Sequence, residues 1–359
     1  MNSRQYSYGS AYFTLVLCAC MMFEINCRSK DYKNDPRLHQ SDKVQLVLEG
    51  EIKLESSKEA FIGSIVEMVI DSDGSLLIAD ALDGSIKIFN SDGKYISSLS
   101  KGSKPKMTIM GFCVNKQGNI FVSDLLTSSI YEFSRTGFLV NHFPADSESR
   151  FILGIPRIFN NRLYVGVIER KYELDFYKSS IIRIYDATNG RPLKRFGEFD
   201  EIYKKIGLLS PEVHFDVTEQ GIIYVVQCHS FKIWCYDSSG EHIMTFGEKA
   251  ETFREAASAV PKDKGEYLDW LTTWSNLGLV KATQNFIVAE WGNRFKSTPP
   301  KFRNVYFIDV YEPDGKLIDN GIPLAGRLLF AKGDLLYIGT DLESDDKVIS
   351  IFRLQKSIL

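Results

Sequence analysis

The chain has 359 residues, of which 44% are hydrophobic and 25% are charged, and its formal net charge is -3. This composition excludes an intrinsically disordered chain and indicates a large buried core. A charge balance without a basic stripe argues against a nucleic-acid partner. The many Phe and Tyr residues favour strands over helices.

An apolar run near the N-terminus is typical of a secretory signal. It extends from Ala11 to Phe23, after a single basic residue, Arg4. The run is shorter than the roughly 20 residues that a membrane-spanning helix needs. We therefore expect a signal peptide over residues 1–27, a polar tether over 28–43 and one folded domain over 44–359.

Two cysteines in this region are candidates for lipid attachment. Residues 17–20, with the sequence LCAC, resemble the lipobox of bacterial lipoproteins, although apolar residues follow Cys20. Cys27 lacks a good box but precedes the polar tether. We predict that Cys20 or Cys27 carries the lipid. A plain cleaved signal and an uncleaved anchor are the alternatives.

Paired turn signals recur along the rest of the chain. The first turn of each pair is followed by a strand-like run, and the second is preceded by another. First turns fall near residues 74, 118, 161, 221, 285 and 333, and second turns near 93, 137, 190, 240 and 315. Most are dipeptides that end in Gly, Asp-Gly and Asn-Gly among them, and such dipeptides supply the positive φ angles of tight hairpins. The chain therefore contains one unit repeated six times.

The repeat predicts an all-β protein, a six-bladed β-propeller. A unit of about 40 to 50 residues with four short strands is typical of a propeller blade. The sixth unit ends before its outer strand, whereas residues 44–54 form an orphan strand before the first unit. We expect this N-terminal strand to close the ring. A β-sandwich is the alternative, and it fits the even spacing less well.

The repeated pattern also resembles a known family. G-x-Φ-Φ-V-x-D, then I-x-x-F and then D-x-x-G-K, where Φ is apolar, are similar to NHL-type repeats and the wider TolB-like propellers. The resemblance covers residues 44–359 and includes bacterial lipoproteins. It implies the fold but no function, because the shared residues are structural. The stretch ALDGS after Asp80 stands where NHL repeats carry Asn and Arg, so few site residues can be transferred.

Irregular segments indicate where function lies. Two units carry insertions between their second and third strands, residues 169–180 and 291–304, and two links between units are long, residues 196–212 and 246–276. In the propellers that the chain resembles, these segments emerge on one face. Long loops in compact domains usually carry function, so we predict a binding face here. A plain lid over the channel is the alternative.

The longest link is expected to form a short helical insertion between blades 4 and 5. Apolar residues at 253, 256, 257 and 260 have helical spacing, and Pro261 then ends that run. A second helix is predicted in the following GEYLDWLTTWSN. Its residues Trp270 and Trp274 either form an exposed platform for a partner or pack on the propeller.

Polar residues at the ends of the second strands are the first candidate ligands. They are Asp80, Asp124, Gln227 and Glu290, and Asp341 comes directly after the sixth such strand. By the family resemblance they lie near the loop face, where oxygen-rich side chains could bind calcium. The alternative is that the aspartates cap turns by accepting hydrogen bonds from backbone amides.

Further candidate ligand-binding residues come from the insertions and from the fourth unit. They are Glu169, His229, Trp291, Asn293 and Arg294. His229 begins the second-to-third strand loop of its unit, and with His214 it could serve acid–base chemistry. No recognisable metal-ligand spacing accompanies either histidine, and no catalytic residue is predicted.

Three cysteines lie in the propeller sequence. Cys228 and Cys235 flank one loop on paired strands, so they either form a disulfide, as an oxidising compartment favours, or stay as buried thiols. Cys113 has no partner within the propeller sequence and is expected in the core.

The sequence predicts a lipid-anchored envelope protein, periplasmic or surface-facing, that binds a small ligand or an envelope protein on its loop face without catalysis. A calcium-assisted hydrolase or lyase, similar to lactonases, is the alternative, and a structural role in an export assembly is a third. We expect a monomer that contacts the membrane through its lipid and needs no cofactor, unless calcium is bound.

Overall fold

The computed structural model describes residues 43–99, 107–151, 154–172, 175–206, 212–256, 261, 264–296, 302–342 and 347–357. Within these residues the strands form six antiparallel sheets, each built from consecutive hairpins. The six sheets are the blades of the predicted propeller. The predicted signal peptide, the two candidate lipidation sites Cys20 and Cys27, and nearly all of the predicted tether lie outside the described residues.

Blades 1 to 3 follow the chain from inner to outer strand. Blade 1 contains β2 (Ile65–Ile70), β3 (Leu76–Asp80), β4 (Ser85–Phe89) and β5 (Tyr95–Ser98). Blade 2 contains β6 (Ile109–Val114), β7 (Ile120–Asp124), β8 (Ser129–Phe133) and β9 (Leu139–Pro144). Blade 3 has a divided inner strand, and it contains β10 (Ser149–Phe151), β11 (Arg157–Phe159), β12 (Arg162–Glu169), β13 (Ser180–Asp186) and β14 (Pro192–Glu198).

Blades 4 to 6 complete the ring. Blade 4 contains β15 (Val213–Val217), β16 (Ile223–Gln227), β17 (Ile233–Tyr236) and β18 (His242–Phe246). Blade 5 contains β19 (Ser275–Ala282), β20 (Ile287–Lys296), β21 (Phe302–Tyr311) and β22 (Leu317–Leu324). Blade 6 contains β23 (Arg327–Lys332), β24 (Leu335–Asp341), β25 (Val348–Lys356) and the N-terminal strand β1 (Val44–Lys53).

The N-terminal strand closes the ring, as predicted. β1 pairs antiparallel with β25, from Val44 opposite Lys356 to Lys53 opposite Val348. The end of β1 then packs on the outer turn of blade 1, where Gly93 has a φ of +80°. A Cβ on Gly93 would lie 2.3 Å from the carbonyl oxygen of Lys53, so only glycine allows this contact.

Apolar clusters fill the spaces between neighbouring blades. One cluster joins blades 1 and 2 through residues such as Leu77 and Phe112, and another joins blades 6 and 1 through Leu76 and Tyr337. Successive residues of β3 therefore face opposite neighbours, which explains why the whole strand is buried. A blade cannot bury both faces alone, so closure of the ring stabilises every blade.

The connections define two sides of the propeller. The loop face carries the second-to-third strand connections and the links between blades, and the turn side carries the first-to-second and third-to-fourth hairpin turns. On the loop face, helix α1 (Ile202–Ile206) lies in the link between blades 3 and 4, and helix α2 (Lys264–Trp270) lies between blades 4 and 5.

Helix α2 confirms the predicted helical insertion. The sequence also predicts a helix in the first half of this link, over residues 253–260. Residues 253–256 are not helical, and residues 257–260 lie outside the described part of the chain. In blade 5 the insertion extends β20 and β21 as one long hairpin rather than forming a separate loop.

Candidate functional site

The carboxylate that ends the second strand of blade 1 is used by the fold itself. Asp80 is 1% exposed. Its Oδ2 accepts the N–H of Gly63 at 2.9 Å, and its Oδ1 accepts the amides of Ser64 and Leu82, each at 2.9 Å. Lys87 Nζ lies 3.2 Å from Asp80 Oδ2. Asp80 therefore fixes both the link that enters blade 1 and the following turn.

Asp124 and Gln227 hold the corresponding links of blades 2 and 4. Asp124 Oδ1 accepts the N–H of Thr108 at 2.8 Å. Gln227 Oε1 accepts the N–H of Asp200 at 2.9 Å, and its Nε2 donates to the carbonyl of Glu198 at 2.8 Å. Both side chains are buried. A strand-end side chain could bind calcium or cap a turn, and the contacts of Asp124 and Gln227 are those of a cap.

Two glutamates near strand ends are buried beside different partners. Burial opposes ionisation of Glu169, but the Ser180 amide and the Arg195 guanidinium, 2.6 Å from its Oε2, lower the pKa of this carboxyl overall. Glu290 Oε1 accepts the N–H of Leu328 on the inner strand of blade 6 at 2.9 Å. Glu290 therefore connects blade 5 to blade 6.

The insertion residues of blade 5 form a buried cluster. Trp291 is fully buried, its ring centroid lies 4.4 Å from that of Phe307, and its Nε1 donates to Asp309 Oδ1 at 3.0 Å. Asn293 Oδ1 accepts from Arg254 Nε at 3.0 Å. These contacts attach the long link to the base of the hairpin.

The remaining blade 5 and blade 6 candidates are less enclosed. Arg294 is half-buried, and its carbonyl accepts a long hydrogen bond from Arg254 at 3.4 Å. Asp341 ends β24 opposite Val348, and its side chain lies outside the described part of the structure. Among the residues that are described, no group of three or more His, Cys, Asp or Glu side chains is placed to hold a metal ion.

His229 lies inside an aromatic cluster beneath α2. It is 4% exposed, and its ring centroid lies 4.4 Å from that of Trp274 and 5.5 Å from that of Tyr203. Burial lowers the pKa of His229 to about 4, so the ring is neutral at pH 7. Trp270 and Trp274 are buried in the same cluster, so they pack on the propeller and do not form an exposed platform.

Within this cluster, two polar atoms are buried without a hydrogen-bond partner among the described residues. They are His229 Nδ1 and Trp274 Nε1.

Of the two alternatives for Cys228 and Cys235, the structure has the buried free thiols and no disulfide between them. Cys228 Sγ lies 3.5 Å from Tyr203 Oη, under α1. Cys235 is opposite Tyr224 in the sheet and packs in the core between blades 4 and 5, where burial raises the pKa of its thiol to about 11. Cys113 is buried, as predicted.

A ring of six residues lines the axis of the propeller, one from the same register position of each inner strand. They are Val69, Cys113, Arg157, Asp216, Lys281 and Phe330. Arg157 Nε lies 2.8 Å from Asp216 Oδ1. Glu67 Oε1 lies 3.4 Å from Lys281 Nζ and 3.7 Å from Arg157 Nη2. Two cations and two anions from blades 1, 3, 4 and 5 thus form a nearly buried axial ion network.

The sequence interpretation missed this network. The feature of the sequence that indicates the axial ion network is a single charged residue within an otherwise apolar inner-strand run.

Three exposed apolar side chains lie on the loop face of the first two blades. Leu82 is 58% exposed and Leu126 is 66% exposed, and they occupy corresponding turns of blades 1 and 2. Phe61, in the link that enters blade 1, is 40% exposed. We call these three residues the apolar ledge. Blades 3 to 5 carry the helices and the long hairpin on the same face.

No family model and no curated protein matches the sequence. The structure is similar to that of a member of the DUF4221 family from Bacteroides vulgatus, with a TM-score of 0.65, 13% sequence identity and coverage of 88% of this chain and 100% of that one. It is also similar to a candidate exported protein from Bacteroides fragilis, with a TM-score of 0.57, 14% identity and coverage of 87% and 95%. These similarities support the propeller fold.

In the part of the chain that the structure describes, no helix is long and apolar enough to cross a membrane.

Proposed function

We propose that the protein is a lipid-anchored propeller of the cell envelope that binds a partner on the apolar ledge of its loop face and performs no catalysis. The partner is an apolar segment of an envelope protein or an apolar small ligand. The NHL-type and TolB-like relationship, the signal peptide and the lipid on Cys20 or Cys27 are parts of the same proposal.

The exposure of Leu82 and Leu126 is the observation that carries the binding role. Both leucines lie at equivalent turns, where a soluble surface normally carries polar residues. Exposed apolar side chains grouped on one face are typical of interaction sites. The strand-end carboxylates nearby accept hydrogen bonds from backbone amides, so the ledge offers apolar contact more than charge.

Export is supported by the N-terminal apolar run and by the similarity to a candidate exported protein. The protein would face the periplasm or the outside of the cell, and we propose that it acts as a monomer. Fractionation of the native cells, with Cys20→Ser and Cys27→Ser variants compared separately, tests the anchor. Loss of membrane association in one variant identifies the lipidated cysteine, whereas retention in both would contradict lipid anchoring through these residues.

Site-specific photo-crosslinking in the native envelope tests the ledge. A photoreactive amino acid replaces Leu82 or Leu126, and the matched control replaces Ile243, which is 51% exposed on the outer strand of blade 4. We expect one adduct of the same mass from both ledge positions and none from the control. Equal labelling at all three positions, or none at the ledge, would contradict the proposed binding surface.

The calcium-assisted hydrolase is the alternative, and a thermal unfolding experiment separates it from the binding protein. A ligand present at 100 times its dissociation constant stabilises a protein by about 2.7 kcal/mol. Because Asp80 and Asp124 already accept hydrogen bonds from backbone amides, we expect the same unfolding temperature with calcium and with EDTA. A clear calcium-dependent increase would favour the hydrolase and justify a screen of lactones and esters.

A further inference from the structure

One outer hairpin departs from the chemistry of the others. The residue after the third-to-fourth turn glycine is charged in blades 1, 3, 4 and 5, where it is Lys94, Arg191, Glu241 and Lys316. Blade 2 has Phe138 at this position, and 75% of its surface is exposed. Leu139 and Val140 follow, and they are 45% and 55% exposed.

We infer that Phe138, Leu139 and Val140, here called the blade 2 tip, contact the surface of the lipid bilayer. The inference rests on the lipid anchor of the proposed function. An exposed aromatic ring with two aliphatic neighbours is the chemistry that enters the apolar edge of a bilayer. The tip adds a second, weaker membrane contact to the proposed anchor.

The position of the N-terminal strand supports this occupant. β1 is the fourth strand of blade 6, as β9 is the fourth strand of blade 2. The pseudo-sixfold arrangement of the blades therefore places the start of β1 and the start of β9 on the same side of the propeller. Val44, the first residue of β1, lies on the turn side opposite Lys356. A chain anchored through its N-terminal segment thus enters the propeller on the side that exposes Phe138.

The length of the segment before β1 explains why a second membrane contact affects the orientation of the propeller. Sixteen residues, 28–43, separate Cys27 from β1. A fully extended chain of this length spans roughly 55 Å, at up to about 3.3–3.6 Å per residue. A segment of this length holds an anchored propeller within that distance of the bilayer. Since the tether also maintains a high local concentration, a small apolar contact is enough to select one orientation.

The orientation also agrees with the binding role. With the blade 2 tip on the lipid, the turn side faces the bilayer and the loop face, with its apolar ledge, points away from it.

The test uses the full lipid-anchored chain in vesicles that contain phospholipids with brominated acyl chains, which quench nearby tryptophan. Phe138→Trp reports on the blade 2 tip, and Leu82→Trp is the matched control on the loop face. Wild-type protein gives the background of the four native tryptophans. Val140→Trp is a second reporter in case Phe138→Trp does not fold. Flotation of the vesicles measures anchoring separately.

We expect the quenching added by Phe138→Trp to be several-fold larger than that added by Leu82→Trp. Equal quenching in floating protein would overturn the contact at the blade 2 tip and leave the anchor in place. Cross-linking of position 138 in one copy of the chain to position 138 in a second copy, with no added quenching by the brominated lipid, would lead to the same conclusion. Wild-type protein that does not float with the vesicles would overturn both the anchor and this contact.

Discussion

The indole Nε1 of Trp291 donates to Asp309 Oδ1 at 3.0 Å in the interior of blade 5. The N–H of Gly321 donates to the same oxygen at 2.8 Å. Burial raises the pKa of Asp309 to about 6, although both hydrogen bonds favour the ionised form. The carboxylate therefore connects β20, β21 and β22 and also introduces a charge that the surrounding apolar side chains disfavour.

Asp309→Asn should stabilise the protein at pH 7. Asparagine can still accept both hydrogen bonds through its oxygen, but it removes the buried charge. The pKa is higher in the folded state than the ordinary 3.8, so wild-type stability falls as pH rises from about 4 to 6. We expect a gain of about 1–3 kcal/mol at pH 7, since one pKa unit corresponds to about 1.4 kcal/mol. Urea unfolding at pH 4 and pH 7 measures it.

The half-buried Asp319→Asn is the control for this substitution. A loss of stability in Asp309→Asn at pH 7, with Asp319→Asn unchanged, would show that the negative charge itself is needed in blade 5.

His229→Phe should remove a pH dependence of the opposite sign. The pKa of His229 is about 4 when folded and about 6.5 when unfolded, so the unfolded state gains a proton first as pH falls. Stability is therefore lost between about pH 6.5 and 4. Phenylalanine keeps the aromatic packing with Trp274 and cannot take up a proton.

Thermal unfolding between pH 7 and pH 4 tests this prediction. His229→Phe should lose less stability than wild type, and the exposed variant His242→Phe should follow wild type. The same decrease in all three proteins would place the origin of the pH dependence elsewhere.

Breaking the axial ion network should cost more than breaking a surface ion pair. Lys281→Met leaves Glu67 buried beside Arg157 alone, and removal of one partner from a buried pair costs about 3–5 kcal/mol. The surface pair of Lys194 and Glu241 is the matched control, and Lys194→Met should cost less than about 1 kcal/mol. Equal urea midpoints for the two variants would mean that the axial charges contribute little to the closed ring.

Asp80→Ala should destabilise blade 1 whether or not calcium is added. The substitution leaves three backbone amides without their acceptor and removes one of the partners of Lys87, so we expect a loss of about 2–4 kcal/mol. Hydrogen exchange should increase at Gly63 and Ser64 before it increases in other blades. Unchanged exchange at these amides would contradict the capping role.

The blade pattern could be predicted because it depends on local chemistry. Each hairpin turn needs residues that accept positive φ, and the strands between turns have buried faces on both sides, so spacing and apolar runs specify the unit. Asn160 and Asn161 illustrate this, because the sequence predicts a turn there and both residues have φ angles near +50°. Closure of the ring could be predicted because the sixth unit lacks an outer strand and one extra strand, residues 44–54, precedes the first unit.

The side-chain contacts could not be predicted in the same way, because they depend on single-residue differences between blades. The turn between the first and second strands is one residue shorter in blade 5 than in blade 1. Trp291, opposite Leu277, therefore takes the position that Asp80 has in blade 1. Glu290 instead contacts blade 6. The axial network joins Glu67 to Lys281, which come together only when the ring is complete. The exposure of Leu82 and Leu126 likewise has no periodic signal.

Closure of the ring by β1 has a consequence for the order of folding. The first strand of the domain to be synthesised, β1, pairs with the last, β25, so its edges stay unpaired until the whole chain has been made. Contacts between the two ends of a chain have a high contact order and form slowly. The domain can therefore complete its fold only after β25 has been synthesised, and until then β1 is exposed to pairing with another chain.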